Sequence, residues 1–244
     1  MKTKSHARGT ALARAAFHPG GQMSRLIFPL LMAVVGVGVL LSLGVWQVQR
    51  LDWKATSLAA ITARIADAPV ALPQRPDPDQ DKYLPVVAVG ALAGPELFIL
   101  TSHDGAPGYR VIAAFETAGR RVMADLGFIT LEAKSTPRVT ADLTLTGHLH
   151  WPQEVDGWTP APDGDLWFAR DVPAMAAALG TEPALIVVAA MSGADLGVTP
   201  LPIDTGDIPN DHLGYAITWF GLAFVWAVMS GFFAVRMARA PRMA

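Results

Sequence analysis

A chain of 244 residues with no cysteine and 52% hydrophobic residues excludes disulfide scaffolds, thiolate metal sites and thiol-based copper transfer. Its charges are sorted by position: all 21 acidic residues lie between Gln47 and Asp211 with only 11 of the 19 Lys and Arg, a net of −10 for that stretch. So acidic a middle offers no basic patch to a phosphate backbone, and no nucleic-acid partner is expected.

Residues 1–25 read as a basic tail, with Lys2, Lys4, Arg8, Arg14 and Arg25 and no acid. Leu26–Val45 follows, 20 residues without a charge. About 20 apolar residues of helix cross a hydrocarbon core, so residues 26–46 are assigned to a first transmembrane helix. The run is too long for a signal-peptide core, and bulky Trp46-Gln47-Val48-Gln49-Arg50 follows it in place of a small-residue cleavage site. A retained anchor is expected. A second uncharged run, Leu213–Val235, places another transmembrane helix over 212–235, and Arg236, Arg239 and Arg242 close the chain as a second basic tail over 236–244. Positive flanks stay on the cytoplasmic side. Both termini are therefore expected in the cytoplasm, with the middle periplasmic, in a bacterial cell inner membrane.

Residues 47–211 are long enough for one domain with its own core. A short amphipathic continuation over Leu51–Ile65 leads into Pro69, Pro73, Pro76, Pro78 and Pro85, a density that stops a helix and predicts a surface loop. Short runs rich in Val, Ile, Leu or Phe between Gly, Pro and Asp predict strands at 86–91, 97–100, 109–116, 121–129, 142–150 and 184–190. Thr117-Ala118-Gly119-Arg120 reads as a hairpin turn. One helix is predicted at Val172–Leu179, capped by Asp171, with Pro173 in its first turn and Gly180 at its end. The fold class is a membrane protein: two transmembrane helices flanking a mainly antiparallel β (α+β) extracytoplasmic domain, a sheet or small barrel.

No phosphate loop, nucleophile elbow or metal-ligand helix is present, so no enzyme is expected. His148 and His150 lie two apart on one strand and share a face, but a metal needs a third ligand that nothing in the sequence brings near, and a polar strand face is the preferred reading. The chemistry-bearing residues stand instead where the two spans meet the middle domain. On α-helical spacing His212, Tyr215, Trp219 and Trp226 form one stripe, an imidazole above aromatic rings. Trp46 and Arg50 lie one turn apart on the other span. An imidazole with flat apolar surfaces suits a flat, apolar, metal-bearing ligand such as haem, with Arg50 and Lys54 available to its propionates. An ordinary interfacial aromatic belt with snorkelling cations explains the Trp, Tyr and Arg residues as well; His212 at the head of a span is less easily explained so.

The segments Gly44-Val45-Trp46-Gln47-Val48-Gln49-Arg50-Leu51-Asp52-Trp53-Lys54 and Asn210-Asp211-His212-Leu213-Gly214-Tyr215-Ala216-Ile217-Thr218-Trp219-Phe220 resemble the two motifs of the Surfeit locus protein 1 family, membrane assembly factors of cytochrome c oxidase. Gly108-Tyr109-Arg110-Val111-Ile112 and Trp167-Phe168-Ala169-Arg170-Asp171-Val172 resemble its interior segments. One departure is Leu126-Gly127-Phe128-Ile129-Thr130, where the family usually has Arg at the first position and Pro at the last. The resemblance implies help in building haem a-containing oxidases, with haem a bound or handed to the catalytic subunit. It implies His212 as the haem iron ligand; in a haem carrier Tyr215, Trp219 and Trp46 would line the macrocycle and Arg50 would face the propionates. The oxidase catalytic subunit, the haem a synthesis enzyme and membrane lipid are the implied partners. A cofactor-free scaffold that stabilises an oxidase subunit is the competing reading, and an enzyme that modifies haem the least supported.

Overall fold

The computed structural model describes residues 20–136, 138, 142–206 and 211–239, with side chains described from Ile27 onward. The basic tail over 1–19, Arg242 and motif residue Asn210 lie outside the described residues. The chain divides into two units, one made of residues 1–54 and 209–244, the other of residues 55–208.

In the first unit stand most of helix α1 (Gly20–Ile65, 46 residues) and all of α2 (His212–Arg239, 28 residues). Both are long and apolar enough to cross a membrane. The amphipathic continuation expected after the first run is part of α1, since nothing between Val45 and Ile65 breaks a helix. Arg236 and Arg239 fall in the last turn of α2, where cations complement the exposed carbonyls.

The second unit is a closed sheet. Its described strands are β1 (Val70–Ala71), β2 (Pro85–His103), β3 (Ala106–Thr117), β4 (Arg120–Thr130), β5 (Leu143–His150), β6 (Leu166–Trp167) and β7 (Leu185–Ser192). The order β2-β3-β4-β7-β5 returns to β2 because β2 also pairs with β5, which closes a five-stranded barrel; β1 and β6 add to β2. The expected antiparallel pattern covers β2–β3, β3–β4, β2–β5 and β5–β7, whereas β4–β7, β1–β2 and β2–β6 are parallel. The runs 86–91 and 97–100, read as two strands, are one strand bent by a bulge between Leu92 and Glu96, with Gly94 at φ +83°. Pro85, expected in the loop, opens that strand. Ala118 and Gly119 both take positive φ in the predicted hairpin turn, as a two-residue loop matched to strand twist requires.

Alternation along each strand divides the core. Val111, Ala113 and Phe115 point into the barrel with Val86, Leu145 and Ile186. Ile112 and Ala114 point outward beneath a helix at Val172–Leu179 (α3 here), which covers them with Val172, Met175 and Leu179. That helix starts and stops as read: Asp171 Oδ1 accepts the Ala174 N–H at 3.1 Å, and Gly180 ends it in the left-handed conformation. β4 is covered on both faces, so Leu126 is core, and an Arg at that position would place a charge in the barrel interior. Gly127 beside it has φ +116°, and a Cβ there would lie 2.1 Å from the Thr199 carbonyl oxygen that accepts the Phe128 N–H.

Candidate functional site

The α1–α2 seam is built from small residues. A Cβ on Gly44 would lie 2.6 Å from Phe220 Cε1, and one on Gly36 would lie 2.6 Å from Trp226 Nε1, so each ring rests on bare backbone of α1. Ala216 and Ala223 are buried on the α2 side. Small residues let two helices approach closely without a water-driven hydrophobic effect. Along α2 the covered positions His212, Ala216, Trp219 and Ala223 recur at intervals of four and three residues, the spacing of one packed helix face.

Gln47, three residues beyond Gly44 and on the same face, is only 8% exposed. Its Oε1 accepts a hydrogen bond from His212 Nδ1 at 2.8 Å. An amide oxygen can only accept, so the proton is on Nδ1 and the lone pair of the neutral ring is on Nε2. That is the form in which histidines bind metals, with the other nitrogen tied to an orienting acceptor. Two turns along the same face, Trp219 is half-buried and its Nε1–H is enclosed without an acceptor.

The other residues singled out from sequence stand elsewhere. Tyr215 is 57% exposed and Trp46 52% exposed, both turned away from the seam. Each lies one residue, about 100°, from a seam residue, Ala216 and Gln47 respectively. Arg50 is exposed and stacks its guanidinium 4.6 Å from the Trp53 ring centroid. The expected stripe is thus divided: His212 and Trp219 face α1, and Tyr215 faces out. Sequence pattern alone does not single out Gln47, although a signal is present, a polar side chain one turn from a glycine in an apolar helix. A large apolar cleft of about 1380 Å3 also lies between the two helices, but it is lined on α2 from Trp226 onward. Fourteen residues of helix, about 21 Å, separate it from His212, so it belongs to a different level of the pair.

In the second unit the two interior motif segments converge. Arg110 on β3 and Arg170 before α3 both donate to Asp125 Oδ2, at 2.6 and 3.2 Å. Arg170 also forks onto Glu154 through Nε and Nη2. Burial pushes the Asp125 carboxyl up from its ordinary value, against the pull of the two guanidiniums. His148 and His150 take separate partners. His148 Nε2 donates to the Ile65 carbonyl at 3.0 Å, and His150 stacks on Tyr83 at 5.3 Å.

Burial, aided by the positive charges of Arg170, Lys82 and Arg110, holds His150 down at about 4. The folded ring therefore stays neutral while an unfolded one protonates below its ordinary value near 6.5. The unfolded state then binds more protons, so stability falls as pH drops from about 6.5 to 4. A loss on the order of 2 kcal/mol is expected, allowing for the ring's partial solvent access. Urea midpoints across that range should converge for the parent and H150Q at low pH, the variant having lost this part of the slope.

Compared with known proteins, residues 34–224 match the sequence model of the SURF1 family. Surfeit locus protein 1 of Xenopus tropicalis is 28% identical over 211 residues, covering 74% of this chain and 67% of that protein. Surfeit locus protein 1 of Homo sapiens is 27% identical over 209 residues, covering 74% and 69%. The cytochrome oxidase assembly protein SHY1 of Saccharomyces cerevisiae is 32% identical over 119 residues, covering 46% and 29%.

Proposed function

Because this chain belongs to the SURF1 family, we propose that it is an assembly factor for haem a-containing cytochrome c oxidase, one that carries haem a on His212 and hands it to the catalytic subunit. The observation that carries this reading is the His212–Gln47 hydrogen bond, which leaves Nε2 as a free lone pair. The residues fit the cargo: an oriented imidazole at the head of α2, and outward rings at Tyr215 and Trp46 that would flank a macrocycle. Arg50 supplies a cation for the propionates. Iron bound at Nε2 would let the cargo be held by one coordinate bond and released by exchange for the oxidase's own ligand.

In this reading α1 and α2 span a bacterial inner membrane with both termini cytoplasmic, and the barrel stands in the periplasm. The sorted charges support that orientation. The role is carriage, not catalysis, and the haem a synthesis enzyme is the source of cargo. A cofactor-free scaffold is the second reading, favoured by the outward exposure of Tyr215 and Trp46, a surface equally suited to another membrane helix.

The test is an optical spectrum of the protein purified in mild detergent from cells making haem a. A haem a spectrum in the parent, lost in H212A and weakened about tenfold in Q47L, supports the carrier. Absence of haem from the parent, despite haem a in the same membranes, leaves the scaffold.

A further inference from the structure

The outer face of the barrel holds a cavity of about 350 Å3 outside the haem site proposed above, lined among others by Tyr83, Arg110, His150, Arg170, Val187 and Ile203. That volume is at the small end of ligand cavities, which run from roughly 300 to 1,000 Å3. Its polar groups are unevenly spent. Arg170 gives Nε and Nη2 to Glu154 and Nη1 to Asp125, whereas Arg110 gives only Nη1, to Asp125. The Nε and Nη2 of Arg110 have no protein acceptor among the described residues. Those two N–H groups form the edge of the guanidinium that matches the two oxygens of a carboxylate.

Two further observations point to a ligand. His150 Nδ1 is buried without a partner, and an unsatisfied polar atom of this kind costs about 1–3 kcal/mol unless something binds it. Tyr83, whose ring forms the wall against His150, is held at φ +67°, a conformation unusual for a bulky residue. Its N–H donates to the Leu149 carbonyl at 2.7 Å, which keeps the ring in place.

The charge favours an anion. Three cations stand here, Arg110, Arg170 and Lys82, against the two carboxylates of Asp125 and Glu154 that Arg110 and Arg170 engage. Asp204 also lines the cavity, but it is exposed and its Oδ1 accepts the Gly206 N–H at 2.9 Å, so solvent screens it. Ile61, Val187, Leu201 and Ile203 supply apolar wall.

We propose that this cavity binds a small organic acid, its carboxylate on the free edge of Arg110 and its short aliphatic body against the Val187 and Ile203 walls. His150, as a neutral ring, donates a further hydrogen bond to the carboxylate.

The experiment uses the full chain in lipid nanodiscs, with empty nanodiscs as the blank, and titration calorimetry with isovalerate as probe. A dissociation constant on the order of 1 mM is expected for a ligand of this size. Isovaleramide, the neutral isostere, should bind at least tenfold more weakly, and so should isovalerate to R110Q. L201W fills the cavity from the connecting segment without touching the Asp125 ion pairs; it should abolish binding while leaving the thermal melt unchanged. Phosphate that binds as tightly as isovalerate would show an anion site with no use for the apolar wall, and would overturn the proposal. So would equal affinity for the amide, equal affinity in L201W, or no saturable heat from isovalerate up to about 10 mM.

Discussion

D125A destabilises the barrel domain by about 3–5 kcal/mol, the cost of stripping the shared partner from buried guanidiniums. The Asp125 side chain is 0% exposed, and those of Arg110 and Arg170 are 17% and 15% exposed. The cost does not come from losing a favourable carboxylate. Burial outweighs the two guanidiniums at Asp125 itself, so ionising that carboxyl adds no stability on its own account. What the alanine leaves behind is Arg110, mostly buried and with no other carboxylate in ion-pair range among the described residues, and Arg170 with Glu154. Removing both ends should therefore be cheaper than removing one: D125L combined with R110M recovers most of the loss. Hydrogen exchange of the β3 and β4 amides reads this directly, with protection lowered by roughly two orders of magnitude or more in D125A and largely restored in the double variant. A single-variant loss under about 1 kcal/mol would show that solvent reaches the cluster and replaces the carboxylate.

The barrel was legible in the sequence wherever local pattern decides structure. Val111, Ala113 and Phe115 alternate with Ile112 and Ala114 because β3 is packed on both faces, and Asp171 and Gly180 bound a helix by backbone chemistry that involves near neighbours only. Pairings set by distant chain segments were not legible. Asp125 sits in an apolar run and is buried only because Arg110 and Arg170, 15 and 45 positions away, close on it. The two-residue strands β1 and β6 exist because β2 offers them an edge. Gly94 and Pro95 read as the end of a strand, and the structure uses the glycine's left-handed freedom to bend one. The same division runs through the helix pair. His212 stood out by its motif and as an ionisable side chain at the head of an apolar helix. Gln47 did not, since its partner lies 165 positions away.

On the proposed carrier reading, G44L is expected to lower haem a occupancy about tenfold, and F220A introduced with it to restore half or more of the loss. Phe220 Cε1 lies 2.6 Å from where even a methyl on Gly44 would begin, so a larger side chain has to move either the ring or the helix. Gln47 is one turn from Gly44, and a shift of the helices by about 1 Å takes a 2.8 Å hydrogen bond beyond useful range. With the Gln47 acceptor lost, His212 is free to exchange tautomers and rotate, and the lone pair on Nε2 is no longer presented in one direction. V45L on the outward side of the same turn, where Val45 is 50% exposed, should leave the spectrum unchanged. The ratio of haem a absorbance to protein in G44L, F220A, the double variant and V45L forms the test. If G44L keeps its haem but no longer supports oxidase assembly, the seam serves a protein partner directly, and the scaffold gains what the carrier loses. If F220A fails to relieve G44L, the 2.6 Å approach is not what positions His212, and the orienting role of Gln47 loses its structural basis.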